Sequence, residues 1–264
     1  MSRAFALPAT GEQERAQQIA ARVEELGYSS IWSNDTPGAD GIVTAAMMAD
    51  ATQTIRVGIG VVAVSRRPPT EIVDALRELE IPLDRLELGV GSGSSHTPVK
   101  AVREAVAKLR DMLGPEPRIA VAAMGPQMSR LAGEIADTVL FNWMVPERIE
   151  WAKARAAEGA GRSCRDGLPV MAAYVRAAIG RGALDRVSAE ASKYNTYPAY
   201  ARHFKAMGVS FGSVGVTDAE GSYAASLADY DSVLDEVVVR ALPESDSIAA
   251  TLAVAEASAP VIGT

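Results

Sequence analysis

Between Arg118 and Glu147 the chain reads RIAVAAMGPQMSRLAGEIADTVLFNWMVPE: strand, abrupt turn, helix, strand, and the opening of a second helix. Ile119–Ala123 is an apolar run of strand length, broken by Gly125-Pro126. Pro126 suits the first position of a helix, where its missing N–H costs nothing. Met128, Leu131, Ala132 and Ile135 keep helical spacing, Thr138–Phe141 is apolar again, and Pro146-Glu147 opens the next helix. A helix start beside the carboxyl end of a strand offers free N–H groups to an anion such as phosphate. Taken alone, the unit fits any βαβ segment of any α/β protein.

The same rhythm runs through the whole chain. Strands are predicted at Arg3–Leu7, Ser29–Ser33, Ile55–Val64, Leu86–Val90, Ile119–Ala123, Thr138–Phe141, Val170–Ile179 and Leu234–Ala241. Helices fall between them, at Glu12–Leu26, Ile42–Thr52, Pro68–Glu80, Val99–Leu113, Glu147–Glu158 and Ala183–Met207, the last broken near Pro198. Shorter helical patterns lie at Ser222–Leu227 and Ser247–Ala257. Short apolar strands suit a parallel sheet buried on both faces. Eight of them in a chain of 264 residues match a compact (β/α)8 TIM barrel, whose typical size is about 250 residues, with a doubly wound open sheet as the competing architecture. No linker, low-complexity tract or charge block interrupts the pattern, which predicts a single domain over residues 1–264.

Composition removes several function classes. A net charge of −7 and a pI near 5.0 argue against nucleic acid or an anionic membrane surface as partner. One cysteine, Cys164, and two histidines, His96 and His203, leave no material for a disulfide and little for a metal site, so no metal is expected. No apolar run approaches the roughly 20 residues that span a bilayer. The N-terminal segment lacks a signal-peptide core, and a soluble cytoplasmic protein is the expectation.

In a barrel, chemistry sits on the loops after the carboxyl ends of the strands. The candidates are Asn34, Asp35 and Thr36; Ser65, Arg66 and Arg67; Ser92, Ser94 and His96; Met124, Gly125 and Gln127; and Asn142 and Trp143. Tyr174 and Arg176 share one face of the seventh strand, and Arg240 lies in the eighth. If that face is the barrel interior, Arg176 needs a partner or an anionic ligand. Asp35 and His96 are the only members that move a proton near neutral pH without a large pKa shift. A site rich in Gly, Ser, Asn and Arg but poor in acid–base groups suits a reaction carried by a cofactor.

Three segments then carry a family resemblance: ATQTIRVGIGVVAVSRRPP (51–69), LDRLELGVGSG (83–93) and AAMGPQMSRLAGEIADTVLFNW (122–143). Together with LGYSSIWSND (26–35), AAYVRAAIG (172–180), YPAYARHFKAMGV (197–209) and DEVVVRALPE (235–244), they resemble the bacterial luciferase-like superfamily, and most closely its actinobacterial members that use deazaflavin coenzyme F420. The resemblance implies a (β/α)8 barrel holding F420, or alternatively FMN, with the ring over the strand ends. It implies a non-proline cis peptide between Gly60 and Val61 backing that ring, with Val62 beside it. It further implies cofactor contacts at Asp35, Gly91 and Ser92, and a phosphate end near Gly125, Pro126 and Gln127; Met124, Asn142 and Trp143 join the expected cofactor contacts by their positions after the fifth and sixth strands. Arg66, Tyr174 and Arg176 are left for substrate or anion. A homodimer acting on a small molecule is the family expectation.

The chain also departs from the family pattern. Many F420-using relatives carry His directly after the Asp of the second strand, where this chain has Thr36. His96 is the alternative proton carrier, and His203 reads as a mid-helix structural residue. The chain is short for the superfamily, whose longer members cover the substrate with an insertion near the seventh strand; a more open pocket, or a lid from a partner subunit, follows from that. The leading reading is hydride transfer between F420 and a small organic substrate. An FMN-dependent luciferase-like monooxygenase is the alternative enzyme, and a non-catalytic flavin-binding or structural barrel subunit the alternative of another class.

Overall fold

The computed structural model describes residues 2–163, 167–219 and 221–261, so Cys164 lies outside the described residues. Its strands, in chain order, are β1 (Ser2–Leu7), β2 (Ser30–Ser33), β3 (Arg56–Ala63), β4 (Leu86–Gly91), β5 (Arg118–Ala123), β6 (Thr138–Asn142), β7 (Val170–Ala178), β8 (Gly215–Thr217) and β9 (Glu236–Ala241). All neighbours pair in parallel. β1 through β7 pair consecutively, β7 pairs with β9, and β9 returns to β1, which closes an eight-stranded (β/α)8 TIM barrel. The competing open sheet is thereby excluded. No helix among the described residues is long and apolar enough to cross a membrane.

The eight barrel strands lie within a residue or two of their predicted positions, whereas β8 is an addition. Its three residues pair with Arg176–Ala178, on the edge of β7 whose lower part pairs with β6 through Asn142. β6 ends there because Trp143 turns the chain at φ 55°. β8 fills the vacated edge. Between β7 and β8 run α7 (Ala183–Asn195) and α8 (Pro198–Met207), separated at the predicted proline.

The barrel interior is layered. At its amino end residues from the first or second positions of five strands meet: Arg56, Glu87, Arg118, Thr138 and Glu236. Arg56 reaches Glu87 at 3.4 Å and Glu236 at 3.2 Å, and the Thr138 hydroxyl donates to Glu87. Burial pushes the Glu87 carboxyl up from its ordinary value, opposed by the Thr138 hydrogen bond. Above this polar plug lies an apolar layer of Trp32 with Ala4, Ala6, Ala120, Leu140, Ala172 and Val238. Trp32 fits because its register neighbour is Gly58, where a Cβ would stand 2.1 Å from the indole. The larger core lies outside the barrel, between strands and helices, where Ile, Val, Leu and Ala from both layers interdigitate.

Helix α5 (Pro126–Ile135) follows β5, and α6 (Pro146–Ala160) follows β6. They cross backbone to backbone at two glycines. A Cβ on Gly133 would lie 1.9 Å from the Ala156 carbonyl oxygen, and one on Gly159 would lie 1.8 Å from that of Arg130. The crossing sets the position of α5 and therefore of its Gly125 start.

Candidate functional site

A cavity of about 820 Å³ opens at the carboxyl ends of the strands, within the range of small-molecule and cofactor sites. Its floor is made by Gly60, Val61 and Gly91, and the Gly60–Val61 peptide is cis. The floor is flat because side chains are missing from it. A Cβ on Gly60 would lie 2.2 Å from the Tyr174 hydroxyl, and one on Gly91 would lie 2.9 Å from Val61. Tyr174 stands behind Gly60, edge-on to Trp32 at 6.2 Å, and its buried hydroxyl has no hydrogen-bond partner among the described residues.

One wall comes from the β5–α5 turn. Gly125 caps α5 in extended conformation, Pro126 follows, and no side chain caps the start. The backbone N–H groups of Gln127 and Met128 are therefore left for a ligand, and both residues line the cavity with Met124, Gly125 and Pro126. Across from them α6, α7 and α8 contribute Arg148, Tyr194, Tyr200, Arg202 and His203. Arg148 stacks on Trp151 at 3.6 Å, and burial lowers its pKa.

Asp35 and Ser92 also line the cavity. The Asp35 carboxylate is almost enclosed, ion-paired with Arg66, and accepts the Gly41 N–H at 3.0 Å. It fastens its loop to the start of α2 (Gly41–Asp50). Arg66, expected at substrate or anion, is paired with Asp35 and is not among the residues that line the cavity.

Four further candidates lie away from the cavity lining. His96 lies exposed on the loop before α4 (Pro98–Leu113), and it is Pro98 and Val99 that reach the cavity. Val62 points into the outer core, because successive strand residues face opposite sides and Val61 takes the interior. Trp143 is turned by its positive φ away from the cavity, packing on Tyr194 and Phe204 at 5.2 and 5.8 Å. Arg176 is buried beside the cavity with protein partners. It lies 3.9 Å over the Trp143 ring, 3.5 Å from Glu190, and donates to the Asn142 side-chain oxygen. The Asn142 amide nitrogen in turn donates to the Tyr200 hydroxyl at 3.2 Å.

His203 joins the wall it was read as merely supporting. Its Nε2 donates to the Trp143 carbonyl at 2.8 Å, since a carbonyl only accepts. Burial lowers its pKa, so the ring is held neutral. α7 and α8 of this chain supply that wall. Reading only the loops after strands passed over these helical residues. The signal was present, however: 14 of 264 residues are aromatic, and Tyr194, Tyr197, Tyr200 and Phe204 crowd into one short stretch. Among the described residues no cluster of His, Cys, Asp and Glu has the make-up to hold a metal ion.

Comparison with known proteins agrees with the barrel fold. The model of the luciferase-like monooxygenase family matches residues 2–111. A 5,10-methylenetetrahydromethanopterin reductase of Methanolobus tindarius is 28% identical over 205 residues, which cover 64% of this chain and 63% of the reductase. The match thus spans less than two thirds of that relative. Among solved structures, an F420-dependent secondary alcohol dehydrogenase in complex with an F420-acetone adduct superposes with a TM-score of 0.74 at 16% identity, covering 98% of this chain and 99% of the other. The oxygenating constituent of 3,6-diketocamphane monooxygenase from the CAM plasmid of Pseudomonas putida, in complex with FMN, gives 0.72 at 13% identity, covering 98% and 97%.

Proposed function

We propose that this chain is a luciferase-like oxidoreductase moving a hydride between coenzyme F420 and a small organic substrate, a reading supported by the family match over residues 2–111. The observation that carries the reading is the make-up of the cavity: flat and apolar at the floor, cationic at the wall, with Asp35 as its one carboxylate among the described lining residues. Asp35 is neutralised by Arg66. A planar ring fits over Gly60, Val61 and Gly91, and an anionic tail fits the α5 start and the Arg148 and Arg202 side. When bound, the deazaflavin supplies or takes up the hydride. The chain's own residues bind, orient and exclude water: Met124, Leu140 and Val61 dry the floor, and Tyr194 and Tyr200 wall it from solvent.

The named relatives support this reading, since one is a reductase and another is an F420-dependent dehydrogenase. A second reading, an FMN-dependent monooxygenase, draws on the FMN-bound structural neighbour. In either case the working form is a cytoplasmic homodimer of one-domain subunits acting on a free small molecule. Parallel fluorescence titrations of the purified protein with F420 and FMN separate the two. Saturable F420 binding that weakens with rising salt is expected; binding of FMN alone refutes the primary reading.

A further inference from the structure

Reduction of a polar double bond needs a proton as well as a hydride, and Asp35, His96 and His203 are all unsuited to deliver one. Asp35 is locked in an ion pair, His96 lies outside the cavity, and His203 Nε2 is spent on a backbone carbonyl. A different group is placed for the task. Arg176 has donors only, so the Asn142 oxygen must face it. The other end of the same amide is therefore the nitrogen, which also only donates, and it points at the Tyr200 oxygen 3.2 Å away. Tyr200 accepts that bond, and its own proton is left directed elsewhere. Tyr200 is a lining residue of the cavity.

From this polarity we propose that Tyr200 is the proton donor of the reaction and that Arg176 and Asn142 are its positioning residues. The inference rests on the oxidoreductase reading above. As hydride reaches the carbon of a C=O or C=N group, the Tyr200 O–H bond breaks and the proton joins the substrate oxygen or nitrogen. The phenolate left behind recovers a proton from solvent water. While it is charged it is held by the Asn142 N–H, with the Arg176 guanidinium at the far end of the chain. A hydrogen-bond chain that ends on a buried cation stabilises negative charge at its other end. In the oxidising direction the same group takes up the proton.

Burial keeps the Tyr200 hydroxyl protonated at neutral pH, opposed in part by Arg176 and the Asn142 hydrogen bond. That is the state a donor needs. The arrangement also accounts for why a chain with Thr36 after Asp35 does not require a histidine there.

Two measurements decide the matter. In the first, tyrosines labelled at Cζ with carbon-13 are followed by NMR as pH is raised, Tyr200 being assigned from Tyr200→Phe. Asn142→Leu is expected to raise the Tyr200 titration midpoint by about one pH unit, a tenfold change in acidity. An unmoved midpoint overturns the chain, whether or not F420 binds. In the second, oxidation of reduced F420 is followed with acetone and benzaldehyde as probes. Tyr200→Phe is expected to lower kcat by about 10²–10⁴-fold while F420 affinity stays within twofold. Unchanged kcat overturns the proton-donor role. Failure of wild type to bind F420 overturns the F420 reading instead, and the NMR result still stands or falls alone.

Discussion

Replacing Gly133 by Ala tests whether a helix crossing far from the cavity sets the cavity's geometry. Helix propensity favours Ala over Gly by about 1 kcal/mol in a helix interior, so local reasoning predicts a more stable protein. Packing predicts the reverse. The new Cβ would lie 1.9 Å from the Ala156 carbonyl oxygen, and real Cβ atoms essentially never approach closer than 3.0 Å. α5 must therefore retreat from α6 by about 1.1 Å, the gap between those two distances. Overpacking of this kind costs about 1–3 kcal/mol. After the propensity gain is subtracted, a net loss of up to about 2 kcal/mol remains, or roughly 2–4 °C in Tm for each kcal/mol in a chain of this size. α5 moves as a body, and its Gly125 start lies about 12 Å from Gly133 along the axis. A shift near 1 Å exceeds the roughly 0.5 Å within which a binding group must be held. Both the urea midpoint and F420 affinity are expected to fall, the latter at least tenfold. Gly125→Ala is the control, because no atom lies within 4 Å of its added Cβ; its stability should stay within about 0.5 kcal/mol of wild type. A Gly133→Ala protein as stable as wild type, or more so, refutes the reasoning.

Other expectations follow from single contacts. Gly60→Ala drives a methyl group into the Tyr174 hydroxyl at 2.2 Å and should cost about 1–3 kcal/mol in urea unfolding and abolish ring binding. Tyr174→Phe removes an unpartnered buried hydroxyl and should raise the Tm of the ligand-free protein; a lowered Tm would mean the hydroxyl is satisfied after all. Burial holds the His203 pKa below its ordinary value, so its neutral form contributes stability that is present above about pH 6.5 and lost as pH falls through the lowered value. The stability difference between wild type and His203→Gln should accordingly shrink from pH 8 to pH 5, and a difference independent of pH would refute the buried neutral ring. Arg148→Met with Arg202→Met should weaken F420 binding and flatten its salt dependence while leaving the urea midpoint nearly unchanged.

The barrel was legible because a period is a property of many residues at once. Each parallel strand needs a short apolar run and each helix an apolar stripe, so Val170–Ala178 or Leu86–Gly91 stands out without knowledge of its neighbours. β8 has no such signature, since Gly215–Thr217 is a strand only because β6 stops early beside it. The floor of the cavity was readable from GIGV and LGVGSG through the family resemblance, and the α5 start from Gly125-Pro126 through helix-capping chemistry. The far wall was not. Tyr200 and His203 lie in helices, where a periodic pattern reads as packing, and only the fold turns that face toward the strand ends. The placement of Trp143 was hidden for a related reason: it stands one residue past β6, and a positive φ turns it away from the cavity.

The route between β7 and β8 has a mechanical consequence. α7 and α8 leave from the end of β7 and come back to the free edge of that same strand, three residues of which hold β8 in register. Both anchor points of the excursion thus belong to one rigid body. A change in its length or composition is absorbed between fixed posts and does not transmit a change of register to β9 or β1. Tyr194, Tyr200, Arg202 and His203 all sit on that span. Ligand preference in this chain is therefore adjustable as a module, while the barrel that carries the floor stays the same.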